Sequence, residues 1–172
     1  STALNAAFAI TAALLRRTNT GEGQRVDVSM LDTAMFMQSP QMTGYLVTGK
    51  APELNGNASP TKQPTSNVFA SSNGYVQVIA MKETQVQALF TELGMPERYA
   101  EFNEPTVRLA RRDEVHGLIA PMIAAQTTEY WLEALDAIGV PVSAIQDFPT
   151  IAEEPQLAHR EVFVEQAHHL HP

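Results

Sequence analysis

Gly21-Glu22-Gly23-Gln24-Arg25-Val26-Asp27-Val28-Ser29-Met30-Leu31-Asp32 joins two apolar segments and changes the backbone period twice within a few turns of chain. A helix ends before it, at polar, glycine-containing punctuation over residues 18–23. Residues 24–28 alternate, with Val26 and Val28 on one face, and predict a short strand. Ser29 followed by Asp32 predicts a capped helix start.

Upstream, residues 2–17 are apolar nearly all round, with Leu4, Phe8, Ile10, Leu14 and Leu15 among alanines, which predicts a buried helix. Arg16 and Arg17 suit the negative end of its dipole. A chain that opens on Ser1 and enters an apolar helix at once reads as the interior of a longer polypeptide.

Downstream, the helix from Ser29 carries Met30, Leu31, Ala34, Met35 and Met37, its three methionines predicted as core, and should bend or stop at Pro40, with a continuation over 41–48. Residues 53–67 are a polar stretch without periodicity, either a disordered tip or a functional loop. Residues 68–71 and 75–80 predict a hairpin, with Asn73-Gly74 expected to supply positive φ. Val86, Leu89, Phe90 and Leu93 mark a helix over 84–93. A further helix over 106–125 carries Val115, Leu118, Ile119, Met122 and Ile123, with Gly117 and Pro121 expected to kink it. Thr127 or Thr128 caps a helix to Ile138, with Trp131, Leu135 and Ile138 inward. A strand over 140–145, a short helix capped by Asp147, a helix or turn over 155–160 and a last strand over 162–166 complete the chain. The order reads as α+β.

With 44% hydrophobic and 17% charged residues in 172, the chain has the makings of a core rather than of a disordered tail. Its net charge of −8 argues against nucleic acid, since phosphate binding needs clustered Lys and Arg. Arg16, Arg17, Arg108, Arg111 and Arg112 suffice for a small anionic ligand. The absence of cysteine excludes disulfides, thiolate nucleophiles and Cys-ligated zinc. Residues 1–15 are too short to span a bilayer, which takes about 20 residues. The reading is of a soluble, cytoplasmic protein without a membrane partner.

Residues fit for catalysis are few. Ser29, between Asp27 and Asp32, lacks a Gly-x-Ser-x-Gly elbow and reads as an N-cap. His116 reads as a solvated helix residue. His168, His169 and His171 have no ligand partner at matching spacing, so no metal site is expected. Glu153 and Glu154 read as a solvated face. Asn55, Gly56, Asn57, Ser59 and Thr61 combine backbone freedom with side-chain amides and hydroxyls that suit ligand contact. Met30, at a predicted strand end, is within reach of a ligand edge.

The run from Ala12 to Arg17 and the element Thr20-Gly21-Glu22-Gly23-Gln24-Arg25-Val26-Asp27-Val28-Ser29 resemble the class III CoA-transferases. That family includes formyl-CoA transferase, the carnitine CoA-transferases and α-methylacyl-CoA racemase. The similarity continues through Gly56-Asn57-Ala58-Ser59-Pro60, Ser66-Asn67-Val68-Phe69, Asn73-Gly74-Tyr75-Val76, Gly139-Val140-Pro141-Val142 and Glu154-Pro155-Gln156.

The resemblance implies a large CoA-binding α/β domain built from both chain ends, a small central domain, two long linkers and an interlocked homodimer. On that template residues 1–50 end the large domain and begin a linker, 51–146 form the small α+β domain, and 147–172 return. The implied activity moves CoA between carboxylic acids through an aspartyl intermediate, with acyl-CoA as substrate and no metal. The aspartate would stand just upstream of Ser1, so the chain is expected to be a fragment and inactive alone. The alternatives are a fragment of an α-methylacyl-CoA racemase-like enzyme or a non-catalytic association module, acting with a second copy or a companion chain. Met30 matches a position near the CoA channel. Asn55, Gly56, Asn57 and Ser59 match a mobile loop over the carboxylate intermediate, where relatives carry a glycine run.

Overall fold

The structure, a computed structural model, describes residues 1–165. The chain divides into two compact units, Ser1–Leu54 and Asn55–Pro172.

The first unit is helical: α1 (Thr2–Thr20), α2 (Met30–Met37) and α3 (Ser39–Thr48). Glycine closes two of these helices. Gly21 and Gly49 adopt φ of 76° and 68° and donate their N–H groups to Arg17 O and Tyr45 O. That left-handed stop is nearly free for glycine and strained for other residues. Ser29 caps α2 as expected, its Oγ accepting from Asp32 N at 3.2 Å. Thr33 ties α2 to α1: its hydroxyl donates to Ser29 O at 2.9 Å and accepts from Asn5 Nδ2 at 3.1 Å.

Three expectations fail in this unit. No residue of α1 is buried, because burial depends on a covering surface, and within the unit α2 meets only one of its faces. Residues 24–28 do not form a strand, since among the described residues they have no ladder partner. Met30 and Met37, read as core, are 75% and 63% exposed, while Met35 is half-buried.

The second unit begins with β1 (Ser66–Ala70) and β2 (Tyr75–Ile79), followed by α4 (Glu83–Glu92) and a 3₁₀ turn (Pro96–Glu101). It continues with α5 (Pro105–Ala110), α6 (Arg112–Ala124), α7 (Thr128–Ala137), β3 (Val142–Ala144), α8 (Phe148–Ala152) and α9 (Pro155–His159). The strands form an antiparallel sheet in the order β1-β2-β3, with Phe69 opposite Val76, and Val76 opposite Ala144. The period of two puts Val76 and Val78 on the covered face, with Tyr75 and Ile79 on the other. Helices plus a small antiparallel sheet are the expected α+β class.

The core lies under that sheet. α4 contributes Val86, Leu89 and Phe90, followed by Leu93. α6 adds Val115, Ile119 and Ile123, and α7 adds Trp131 and Leu135. Each such side chain is worth roughly 1.5–3 kcal/mol when fully buried. The Trp131 indole donates to Ile123 O at 2.8 Å, satisfying a carbonyl in the last turn of α6.

The segment over 106–125 is two helices rather than one. Arg111 leaves helical geometry at φ −109°, ψ 31°, and its guanidinium lies 4.5 Å from the Phe102 ring while clasping Glu114. α6 then runs on past Pro121 to Ala124. β3 is shorter than expected, although Ile145 N still donates to Tyr75 O at 3.0 Å. Residues 162–165 form no strand, and residue 166 lies outside the described residues.

The hairpin turn departs from its expected chemistry. Neither Asn73 nor Gly74 has positive φ. Asn73 instead caps α7: its Oδ1 accepts from Thr128 N at 2.8 Å and its Nδ2 donates to Glu129 Oε2 at 3.0 Å. Gly74 serves close approach, since a Cβ there would stand 3.1 Å from Thr128 Oγ1.

Candidate functional site

Residues 55–65 form hydrogen-bonded turns rather than a loose tip. Gly56 takes φ 57°, and Ala58 N closes the turn onto Asn55 O at 3.1 Å. Lys62 takes φ 57° as well, a left-handed conformation uncommon outside glycine, while its N–H reaches Ser59 O at 2.8 Å. Ser59 and Thr61 share a hydroxyl–hydroxyl bond of 2.7 Å, and the Thr61 hydroxyl donates to Met81 Sδ at 3.8 Å.

The far end of the loop is anchored to the core. Thr65 Oγ1 donates to Ala80 O at 2.7 Å, and Gln63 Nε2 donates to Pro105 O at 3.1 Å. Gln63 Oε1 is buried without a partner among the described residues. The loop therefore has a fixed base and an exposed tip at Gly56 and Asn57. It holds amides, hydroxyls and one lysine, with no carboxylate or imidazole. To a ligand it offers amide and hydroxyl hydrogen-bonding groups and one ammonium.

The structure brings Asn55, Gly56, Asn57 and Ser59 together on this loop. Met30 belongs to the other unit, at the first position of α2. In that unit α1 and α2 enclose an apolar groove of about 540 Å³, lined by Leu4, Asn5, Phe8, Thr33, Phe36 and Met37. The sequence reading missed this groove because it assigned α1 to a core. The signal was the same all-round apolar pattern.

Arg108, Arg111 and Arg112 each already have a carboxylate partner. Arg108, nearly fully buried, holds both carboxylate oxygens of Glu83 and donates to Phe102 O at 2.6 Å. Arg111 pairs with Glu114 at 2.6 Å, and Arg112 meets Asp113 at 3.4 Å. The hydrogen bond from Arg111 holds the Glu114 carboxyl below its ordinary range, and the same bond raises Arg111. His116 is not solvated: it is half-buried and stacks on Phe69, ring centroids 5.2 Å apart. Among the described residues no group of three His, Asp or Glu could hold a metal. His168, His169 and His171 lie outside the described residues. No described helix is long and apolar enough to cross a membrane.

The profile of CoA-transferase family III matches residues 1–172. The chain belongs to CoA-transferase family III. This family III chain is 30% identical over 164 residues to a succinyl-CoA:mesaconate CoA-transferase of Haloarcula marismortui, covering 95% of the chain and 41% of that protein. It is 32% identical over 158 residues to an acetyl-CoA:oxalate CoA-transferase of Acetobacter aceti, covering 90% and 40%. Its fold matches a crystal structure of a CAIB/BAIF family protein from Brucella suis with TM-score 0.80 and 29% identity, over 93% of this chain and 43% of that one. The chain thus spans about two fifths of the length of the relatives it matches.

Proposed function

We propose that these residues are the small-domain portion of an acyl-CoA:carboxylate CoA-transferase, with residues 1–50 ending the CoA-binding domain, 51–146 forming the small domain and 147–172 returning. The observation that carries this is the family match over all 172 residues. The whole enzyme moves CoA from an acyl-CoA to a carboxylic acid through an aspartyl intermediate, in the cytoplasm and as a homodimer. The relatives' names, with mesaconate, oxalate and glutarate as acceptors, favour a short dicarboxylic acid over a racemase substrate.

In this reading Asn55, Gly56, Asn57 and Ser59 cover the carboxylate end of the reacting group. The fixed base and exposed tip of their loop support that role, since a cover must move without losing register. Met30 lines the CoA channel. Its exposed apolar side chain supports contact with a ligand stem. The nucleophilic aspartate is supplied by a position preceding Ser1.

The test uses succinyl-CoA and a panel of dicarboxylates. The 172 residues alone are expected to give no CoA exchange, and the same residues within a longer chain carrying the preceding aspartate are expected to give it. Hydroxylamine then traps the enzyme thioester. Turnover by the 172 residues alone, or exchange without a trappable intermediate, refutes the proposal.

A further inference from the structure

The sequence contains two Asn-Gly pairs, Asn55-Gly56 and Asn73-Gly74. They share local chemistry and differ in hydrogen bonding among the described residues: Asn73, although exposed, is held at both side-chain atoms, and Asn55, although half-buried, is held at neither. We propose that Asn55 is a site of spontaneous deamidation, a slow modification of the candidate loop, and that the fold protects Asn73 from the same reaction.

The reaction is intramolecular. The backbone nitrogen of Gly56 attacks Cγ of Asn55 and a C–N bond forms. The Cγ–Nδ2 bond breaks, and ammonia leaves with the proton that the Gly56 amide gives up. Water then opens the five-membered imide at either carbonyl, leaving aspartate or isoaspartate. Glycine favours the attack because no Cβ shields its nitrogen. The step needs a side-chain amide that can swing toward the next nitrogen and room for the ring.

Asn55 meets both conditions. Among the described residues its side-chain amide makes no hydrogen bond, and the Gly56 N–H donates to no acceptor. Gly56 is exposed, and a Cβ built on it meets nothing within 4 Å.

Asn73 meets neither. Its Oδ1 and Nδ2 are both engaged, by Thr128 N at 2.8 Å and Glu129 Oε2 at 3.0 Å. The space beside Gly74 is filled by Thr128 Oγ1 at 3.1 Å. The reaction at Asn73 must first break these contacts, which slows it by about tenfold or more. The product at Asn55 is a carboxylate where the loop had a neutral amide, on a chain already at −8. Isoaspartate also adds a methylene to the backbone before Gly56. The modification proceeds whatever the loop covers, so it stands apart from the proposed transferase activity.

The test incubates the full chain in mildly alkaline buffer, with and without urea, and follows the mass gain of amide-to-acid conversion. Trypsin separates the two sites, on peptides 51–62 and 63–82, and fragmentation assigns the residue. In the folded chain Asn55 is expected to convert about ten times faster than Asn73, and in urea the two rates are expected to converge. Equal folded rates, a ratio that persists in urea, or an Asn55 that reacts only when unfolded each overturns the proposal. Glu129→Ala, at an exposed position, is expected to raise the Asn73 rate several-fold and leave Asn55 unchanged. An unchanged Asn73 rate refutes the account of its protection.

Discussion

Glu83→Ala should destabilise the second unit far more than its exposed position suggests. Glu83 is 43% exposed, but its partner Arg108 is 2% exposed, and the Arg108 Nε is already without a partner among the described residues. Removing the carboxylate leaves a buried guanidinium held only by Phe102 O. Stranding one member of a buried pair costs about 3–5 kcal/mol. The exposure of Glu83 lets water reach part of the site, so about 2–4 kcal/mol is expected here. Total stability of such a domain is typically about 5–15 kcal/mol, so the loss is large.

The reverse truncation should be milder. In Arg108→Met the abandoned carboxylate can hydrate, and methionine fills much of the stem's volume. Urea unfolding followed by fluorescence of Trp131, the single tryptophan and a buried one, reports directly on this unit. A Glu83→Ala loss below about 0.5 kcal/mol, or an Arg108→Met loss exceeding it, refutes the reasoning.

Gly74→Ala should lower the melting temperature by a few degrees, because its Cβ would press Thr128 Oγ1 at 3.1 Å. Thr127→Ala should cost about 1 kcal/mol in urea unfolding, through loss of the cap on Tyr130 N. The Glu114, Glu129 and Asp147 carboxyls are held low by hydrogen bonds from Arg111, from the Glu129 backbone and Asn73, and from Thr150 respectively. A lowered folded value means the unfolded chain protonates first, so their contribution is present near neutrality and lost as pH falls below about 4. Acid titration of stability checks the sign. Phe8→Ser with Phe36→Ser, at residues 74% and 80% exposed, should reduce light scattering by the 172-residue chain at equal concentration.

Local chemistry was legible where one segment decides the outcome. The apolar spacing of Val86, Leu89, Phe90 and Leu93 named the buried face of α4, and Ser29, Thr127 and Asp147 cap helices as their positions indicated. Reading failed where a second segment decides. Val26 and Val28 alternate as strand residues do, yet a strand exists only with a partner. The apolar α1 says that something should cover it, not what does. Asn73-Gly74 has the letters of a positive-φ turn, but Thr128 and Glu129, over fifty residues on, recruit the asparagine as a cap. The candidate loop was visible as a polar gap between periodic segments. Its anchoring through Thr65 and Gln63 was not, because Ala80 and Pro105 are distant in sequence.

The order β1-β2-β3 sets a timetable for the growing chain. β1 and β2 are joined by a short turn and can pair as soon as both are free, on the microsecond scale of hairpins. β3 follows about sixty residues later, after α4 to α7. Until then one edge of β2 presents unpaired backbone groups, and an open edge invites pairing with another chain. At about 5–20 residues per second, that interval lasts several seconds during synthesis, ample time for an encounter on a crowded polysome.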